Sequence, residues 1–396
     1  MTLIFFDDEA RNSLLPLTFT RPVAAIRIGI LTIAEKWQKH LQENQIGYKT
    51  AEYLQEKFPF NSSAENLFIN GSICPDEDLL EAIAQLKAGE ILTSDEILIA
   101  AKVNEADLPM FNLADVSKYK PISFCKNYLR IRYPEEIFTF NDIEICKDFR
   151  LLTAGRTSAS LNSTNTILGD DIFVEEGAEA DCSVFNTRQG PIYLGKNSQV
   201  WENCSIRGPF ALCENSQVKM GARIYGKTTI GPYCRVGGEI NNSVILQNSS
   251  KGHEGYLGYS VLGEWCNIGA DSNNSNLKNN YAEVRLWDYN KESFRKTGLQ
   301  FCGLIMADHA KCAINTMFNT GTVVGVSANV FGSGFPRNFV PDFAWGGAHG
   351  FDIYALNKMF DTAVEVYKRR NAVFDDVEKR LLTNVFELTR KYRRFN

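Results

Sequence analysis

The sequence predicts a chain of three parts: an α/β domain over residues 1–148, a parallel β solenoid over 149–345, and a helical segment over 346–396 that caps it. Three observations carry this. Short apolar runs alternate with helix-like patterns at the front. In the middle, an apolar residue followed by glycine returns every five or six positions. At the end, apolar residues recur at helical spacing. A chain of 396 residues also exceeds what one core usually holds.

In the front part, Leu3-Ile4-Phe5-Phe6 reads as a buried strand, Leu67-Phe68-Ile69 as a strand entering the turn Asn70-Gly71, and Ile97 to Ala101 as another strand. Pro75-Asp76-Glu77-Asp78 opens a helix, with proline near its first position and acids at the positive end of its dipole. Leu79, Leu80, Ile83 and Leu86 form its apolar face, and Gly89 stops it. Alternating strands and helices make an α/β sheet.

The middle part is rich in small residues and asparagine. Ile167-Leu168-Gly169, Ile192-Tyr193-Leu194-Gly195, Met220-Gly221-Ala222, Ile230-Gly231-Pro232, Val261-Leu262-Gly263, Ile268-Gly269-Ala270 and Val323-Val324-Gly325 repeat one theme. A period near six means short parallel strands stacked in a solenoid, with one inward apolar residue each. Asparagine and glycine suit corners that need positive φ. After it, Tyr354, Leu356, Met359, Phe360, Ala363, Val366 and Tyr367 mark one helix, and Phe374 to Leu388 a second. A solenoid end must be covered, and these helices are its expected cap. Lys368-Arg369-Arg370 and Arg390 to Arg394 fall in last turns, where they complement the dipole or meet a phosphorylated ligand.

Composition removes several function classes. Charged residues make up 22%, and 42 Lys+Arg face 47 Asp+Glu, so the chain as a whole is no nucleic-acid binder. No apolar stretch is long enough to span a membrane. Met1 to Phe6 lacks a basic n-region, so no signal peptide is expected. Ten scattered cysteines without a C-x-x-C pair suggest reduced thiols in the cytoplasm rather than a zinc or disulfide framework.

One stretch carries a resemblance. Lys251-Gly252-His253-Glu254-Gly255-Tyr256-Leu257-Gly258, followed by Asn267-Ile268-Gly269-Ala270 and Asn276, is similar to the segment G-H-x-x-Y-L-G…N-I-G-A-G…N. That segment belongs to left-handed β-helix hexapeptide acyltransferases, in the bifunctional enzymes that make UDP-N-acetylglucosamine. The likeness resumes at Ile305 and runs through Gly332. It resembles the divergent Bacteroidetes-type form, which pairs glucosamine-1-phosphate N-acetyltransferase with N-acetylglucosamine-1-phosphate uridylyltransferase.

The resemblance implies a left-handed β-helix, a homotrimer, and acetyl-CoA bound along neighbouring coils. It implies His253 as general base, since a sugar ammonium must lose a proton before attacking a thioester and neutral imidazole suits that step. Lys219 falls on the family's phosphate-binding arginine. The next expected cation, a lysine, falls on Gly237, with Arg235 two residues back on the same face. Tyr256, Asn267 and Asn276 match sugar-contacting positions, and Ala270, Ile314 and Gly332 match acetyl-CoA positions. Ile314 replaces a serine and Asp271 a glycine of the family pattern. Residues 277–300 form a longer loop, in which Lys278 or Lys296 supplies a missing lysine.

The front part resembles sugar-phosphate nucleotidyltransferases through Pro16-Leu17-Thr18-Phe19-Thr20-Arg21-Pro22, and Arg27 to Trp37 is similar to the N-terminal signature of the divergent form. The glycine-rich phosphate loop is replaced by Asp8 to Ser13, whose carboxylates repel a triphosphate unless a cation intervenes. Arg11, Arg21, Arg27 and Lys36 are the candidates for contacts to UTP, and Asp7 and Asp8 for Mg²⁺. The expected function is acetyl transfer to a sugar 1-phosphate plus uridylyl transfer. The alternatives are one activity with the other domain vestigial, or a non-catalytic sugar-nucleotide-binding trimer.

Overall fold

The structure, a computed structural model, describes residues 1–113 and 115–395 and divides into two compact units. The front unit holds Met1–Leu14, Arg21–Ile26 and Leu31–Tyr133. The second unit holds Leu15–Thr20, Arg27–Ile30 and the chain from Pro134 onward.

The front unit is built on one mixed six-stranded sheet. Its strands are β1 (Thr2–Phe6), β2 (Ile46–Lys49), β3 (Glu65–Asn70), β4 (Glu90–Ser94), β5 (Ile97–Asn104) and β6 (Lys120–Ser123), in the order β2-β1-β3-β5-β4-β6. Every residue of β1 is buried, as an unbroken apolar run at the centre of a sheet requires. β1 pairs in parallel with β2 and β3, whereas β5 runs antiparallel to both β3 and β4. Helix α1 (Ala10–Ser13) follows β1, and α2 (Ile33–Leu41) carries a capping box between Thr32 and Glu35. Helix α3 (Glu77–Ala84) is capped by Asp76, whose side chain accepts from the Leu79 N–H at 2.9 Å. Pro75 therefore sits before the cap instead of at the first helical position. The helix also ends five residues short of Gly89, whose N–H bonds to Lys102 O at the start of β4.

The second unit is a left-handed parallel β-helix with three faces. The first face runs from Thr166–Leu168 to Tyr256–Gly258, the second from Ile172–Val174 to Phe339–Val340, and the third from Glu179–Ala180 to Ala344–Gly347. Gln199, Gln217 and Arg235 are direct cross-strand partners on the third face, so these coils take 18 residues each, three times the six-residue theme. Inward residues form one continuous core, including Ile206, Ile224 and Ile240, Leu212, Ile230 and Ile245, and Val218 and Val236. Each such burial contributes roughly 1.5–3 kcal/mol. Asn197, Asn203, Asn215, Asn248, Asp271 and Asn315 take positive φ at the corners, a conformation that short polar side chains tolerate. The longer loop expected at 277–300 contains a hairpin, Arg285–Asp288 with Ser293–Lys296, whose Trp287 stacks on Phe339 at 4.2 Å.

Helices α4 (Pro134–Thr139) and α5 (Asn141–Thr153) belong to this unit. Asn141 accepts from the Gly29 N–H at 2.7 Å, and Asp148 accepts from Ile30, which ties the segment Arg27–Ile30 to α5. Helices α6 (Leu356–Lys368) and α7 (Asp376–Leu388) cover the corner between the second and third faces. Tyr367 stacks on Trp265 at 3.7 Å, and Phe386 meets Phe343 at 5.0 Å. The last coil is closed by the antiparallel strand Gly350–Ile353, with Phe395 against Phe351. Among the described residues no helix is long and apolar enough to cross a membrane.

Candidate active site

His253 is exposed at the corner between the third face (Ser250–Lys251) and the first face (Tyr256–Gly258). Backbone bonds fix what stacks on it. Asp271 N–H bonds to Glu254 O at 3.0 Å, Asn315 N–H to Ala270 O at 2.8 Å, and Ala313 N–H to Val330 O at 2.8 Å. His253, Ala270, Ile314 and Gly332 thus occupy the same corner on four successive coils, a span of roughly 14 Å at the spacing of paired strands. Ile314 is 68% exposed, an apolar side chain left in solvent beside this column. Asp271 takes the positive φ of 55° that its place requires. Gly269 is needed for packing, because a Cβ there would collide with the Ala313 carbonyl and the Ile314 nitrogen.

On the first face, Tyr256 Oη accepts from Asn276 Nδ2 at 3.1 Å, and the Tyr256 N–H donates to Asn273 Oδ1 at 2.8 Å. Burial raises the Tyr256 phenol, which keeps it a neutral donor. Asn267 instead lies exposed on the third face, paired with Ser250 and Lys311. The predicted sugar-contacting set is therefore divided between two faces that meet at the His253 corner.

The cations lie on the third face. Lys219 Nζ sits 3.5 Å from the Trp201 ring centre and donates to Gln217 Oε1 at 3.0 Å. Burial, then Arg235 and Arg370, push its ammonium below its usual range. Burial and Arg235 likewise lower Arg370, whose Nη1 donates to Tyr233 O at 2.6 Å. Lys219, Arg235 and Arg370 are thus close enough to repel one another. In the sequence Arg370 belongs to a basic cluster at a helix end, 137 residues from Tyr233, and nothing local links it to this group. The absence of a lysine at 237 has a steric reason. A Cβ on Gly237 would lie 2.7 Å from Gly252 O and 3.2 Å from the Lys219 Cβ. Of the two lysines considered for the longer loop, Lys278 donates to Glu283 O and lines a cleft of about 1090 Å³ with Arg285 and Arg337. Lys296 lies 3.5 Å from the Glu283 carboxylate.

In the front unit, a polar cluster forms at the carboxyl ends of the parallel strands β1 and β3, where α/β sheets place ligands. Arg130 Nη2 donates to Asp8 Oδ2 and Glu9 Oε1, each at 2.6 Å, and its Nε donates to Ser72 Oγ at 3.2 Å. Asn70 Nδ2 donates to Asp8 Oδ2 at 2.8 Å and Ser72 Oγ donates to Asn70 Oδ1 at 2.7 Å, closing a ring of polar groups. Hydrogen bonding to Arg130 holds the Glu9 carboxyl below its usual range. Asp7 accepts from the Val23 N–H and from Thr50 Oγ1, and burial raises its carboxyl. Arg11 lies against Asp7 and donates to Tyr53 Oη. All four oxygens of Asp7 and Asp8 accept from protein donors, so as arranged this pair does not fit a bound Mg²⁺. No group of three or more His, Cys, Asp or Glu among the described residues is placed to hold a metal. Arg21 and Lys36 are 3% and 1% exposed in the front unit, while Arg27 belongs to the second unit and donates to Ile30 O.

Residues 3–157 match the family model of sugar nucleotidyl transferases. No curated protein matches the chain. Among solved structures, the chain is similar to the UDP-N-acetylglucosamine acyltransferase of Francisella novicida, at 13% identity and a TM-score of 0.28, over 59% of this chain and 79% of that one. It is also similar to the Arabidopsis UDP-N-acetylglucosamine acyltransferase, at 16% identity and a TM-score of 0.19, over 59% of this chain and 90% of that one.

Proposed function

We propose that the chain is a sugar-phosphate transferase with two activities. The β-helix transfers acetyl from acetyl-CoA to glucosamine-1-phosphate, and the front unit couples the N-acetylated product to UTP with release of pyrophosphate. The observation that carries the first activity is the corner column, in which an exposed histidine is followed on the next three coils by Ala270, Ile314 and Gly332. These small or apolar positions suit the thin, extended arm of an acyl-CoA.

In this reading Lys219, Arg235 and Arg370 hold the sugar phosphate. Tyr256 and Asn276 orient the ring. His253 takes a proton from the sugar ammonium, and the free amine attacks the thioester carbonyl directly. The adduct nitrogen gives its second proton to solvent, the tetrahedral oxyanion collapses, the C–S bond breaks, and the thiolate recovers a proton from His253. The N–H groups of Asn267 and Gly269 already donate to Ala310 O and Cys312 O. The Ala270 N–H has no hydrogen bond among the described residues and is the backbone donor free to meet the oxyanion. A homotrimer would bring the third face of one copy to the first face of another, uniting Asn267 and the cations with Tyr256 and Asn276.

A second reading, acetyl transfer with a front unit that binds but does not catalyse, is favoured by two observations. Asp8 and Glu9 already engage Arg130, and no glycine-rich loop is present. Pyrophosphate release from UTP with N-acetylglucosamine-1-phosphate decides between the two. Release that stops in Arg130→Met supports two activities; saturable UTP binding without release supports the second reading.

A further inference from the structure

The inward row of the third face runs Val200, Val218, Val236, Lys251, Ile268, Cys312, Val330. A lysine interrupts an otherwise apolar row inside a β-helix, with 1% of its surface exposed. Its register is fixed, because Lys251 is the direct partner of Val236 on the neighbouring strand. A methionine or leucine would fill the same space without burying a charge, so the ammonium is retained against a cost.

What it holds is specific. Lys251 Nζ donates to His253 O at 2.6 Å and to Gly237 O at 3.0 Å. The two carbonyls belong to adjacent coils at the corner that carries His253. Next to His253 that corner has an open entry. Its sequence, Gly252-His253-Glu254-Gly255, places a glycine on each side, and Gly255 takes a φ of 114°. A Cβ on Gly252 would find only Ser250 Oγ within 4 Å, so the entry to the turn is open, whereas its exit is packed, with Gly255 tight against Ser272 O. Outside the corner, Arg223 donates to Glu254 at 2.9 Å. Glu254, Arg223, Asp271 and Cys312 are the titratable groups that act on the ammonium.

We propose that Lys251 is a positioning residue: from inside the coil, its ammonium clamps the backbone carbonyl of His253 to the coil beneath and so fixes where the imidazole stands. The proposal rests on the reading of His253 as the acetyl-transfer base. A base displaced by about 1 Å loses about a hundredfold in rate.

The test uses Lys251→Met in the full chain, with His253→Ala beside it. Positioning predicts that kcat for acetyl transfer falls by about tenfold or more, while KM for acetyl-CoA moves by less than about twofold and Tm does not fall. Lys251→Gln, which keeps an N–H donor, restores part of kcat. A Met variant with wild-type kcat, or one whose loss follows Tm and is not eased by Gln, overturns the proposal. The chain has four histidines, so spectra of ¹³Cε1-labelled histidine resolve His253, assigned by its loss in His253→Ala. Positioning predicts that this signal alone shifts and sharpens into a mobile line in Lys251→Met, with His40, His309 and His349 unmoved. That readout needs no turnover. If the wild type fails to acetylate but His253 is released in the variant, the base assignment fails and the clamp stands. If His253 is unchanged in the variant, the clamp fails whatever the activity.

Discussion

The hydroxyl of Tyr256 lies over Gly258, in the space a Cβ at that position would occupy. The two residues are neighbours on one side of the same short strand. Glycine at 258 therefore serves the tyrosine rather than the turn. In Gly258→Ala the ring must swing away, breaking its bond from Asn276. The expected result is a rise of about tenfold in KM for the sugar phosphate at the cost of one charge-independent contact network, with a stability loss of about 1–3 kcal/mol from crowding. Steady-state kinetics with a melting curve checks it; unchanged KM would mean that Tyr256 does not touch the sugar.

Lys219, Arg235 and Arg370 repel one another, so in the proposed reading a bound phosphate dianion relieves that repulsion as well as making new bonds. Arg370→Gln removes one charge-assisted bond, worth about 1.5–3 kcal/mol. KM for the sugar phosphate should rise by about tenfold or more, with kcat nearly kept. Competition by inorganic phosphate should weaken in parallel. Equal KM in wild type and variant would place the phosphate elsewhere.

Asp342 is buried beside Tyr289, accepting from its hydroxyl at 2.8 Å and from the Val326 N–H at 2.7 Å. Burial pushes its carboxyl up to about 6. An unfolded Asp titrates near 3.9. Between these values the folded chain binds the proton more tightly, so this group's contribution to stability falls as pH rises from about 4 to 6. The Tm difference between Asp342→Asn and wild type should therefore move in favour of the variant across that window. Parallel pH profiles would contradict the assignment.

Lys251 has the opposite sign. Burial pushes its ammonium down to about 8, below the unfolded value near 10.4. Protons bind the unfolded chain more tightly in between, so wild-type stability should gain on Lys251→Met as pH rises from about 8 to 10. Thermal melts at pH 7.5 and 10 read the change in gap; a gap that does not narrow means the lysine is solvated.

Much of this molecule was legible from the chain. The run Leu3 to Phe6 gave a central strand because nothing in it could face water. The six-residue theme gave the solenoid because the inward position must repeat. What failed to show depends on register or on distant partners. Lys251 looks outward-facing by a six-residue count. The step from Arg235 to Ser250 takes 15 residues instead of 18, and the shortened coil turns the lysine inward. Asn70, Ser72 and Arg130 come together only because β1 and β3 pair and the chain returns at Arg130, so no local spacing announces them. Arg370 reaches Tyr233 from a helix more than a hundred residues later, which no periodicity encodes.

In the proposed reading His253 takes the proton from the sugar amine during acetyl transfer. Thiol release from acetyl-CoA, measured with and without glucosamine-1-phosphate for wild type and His253→Ala, tests it most directly. The account predicts release that requires the sugar phosphate and that falls by about a hundredfold or more without the imidazole. Release that persists unchanged in His253→Ala, or that does not depend on the sugar phosphate, would contradict it.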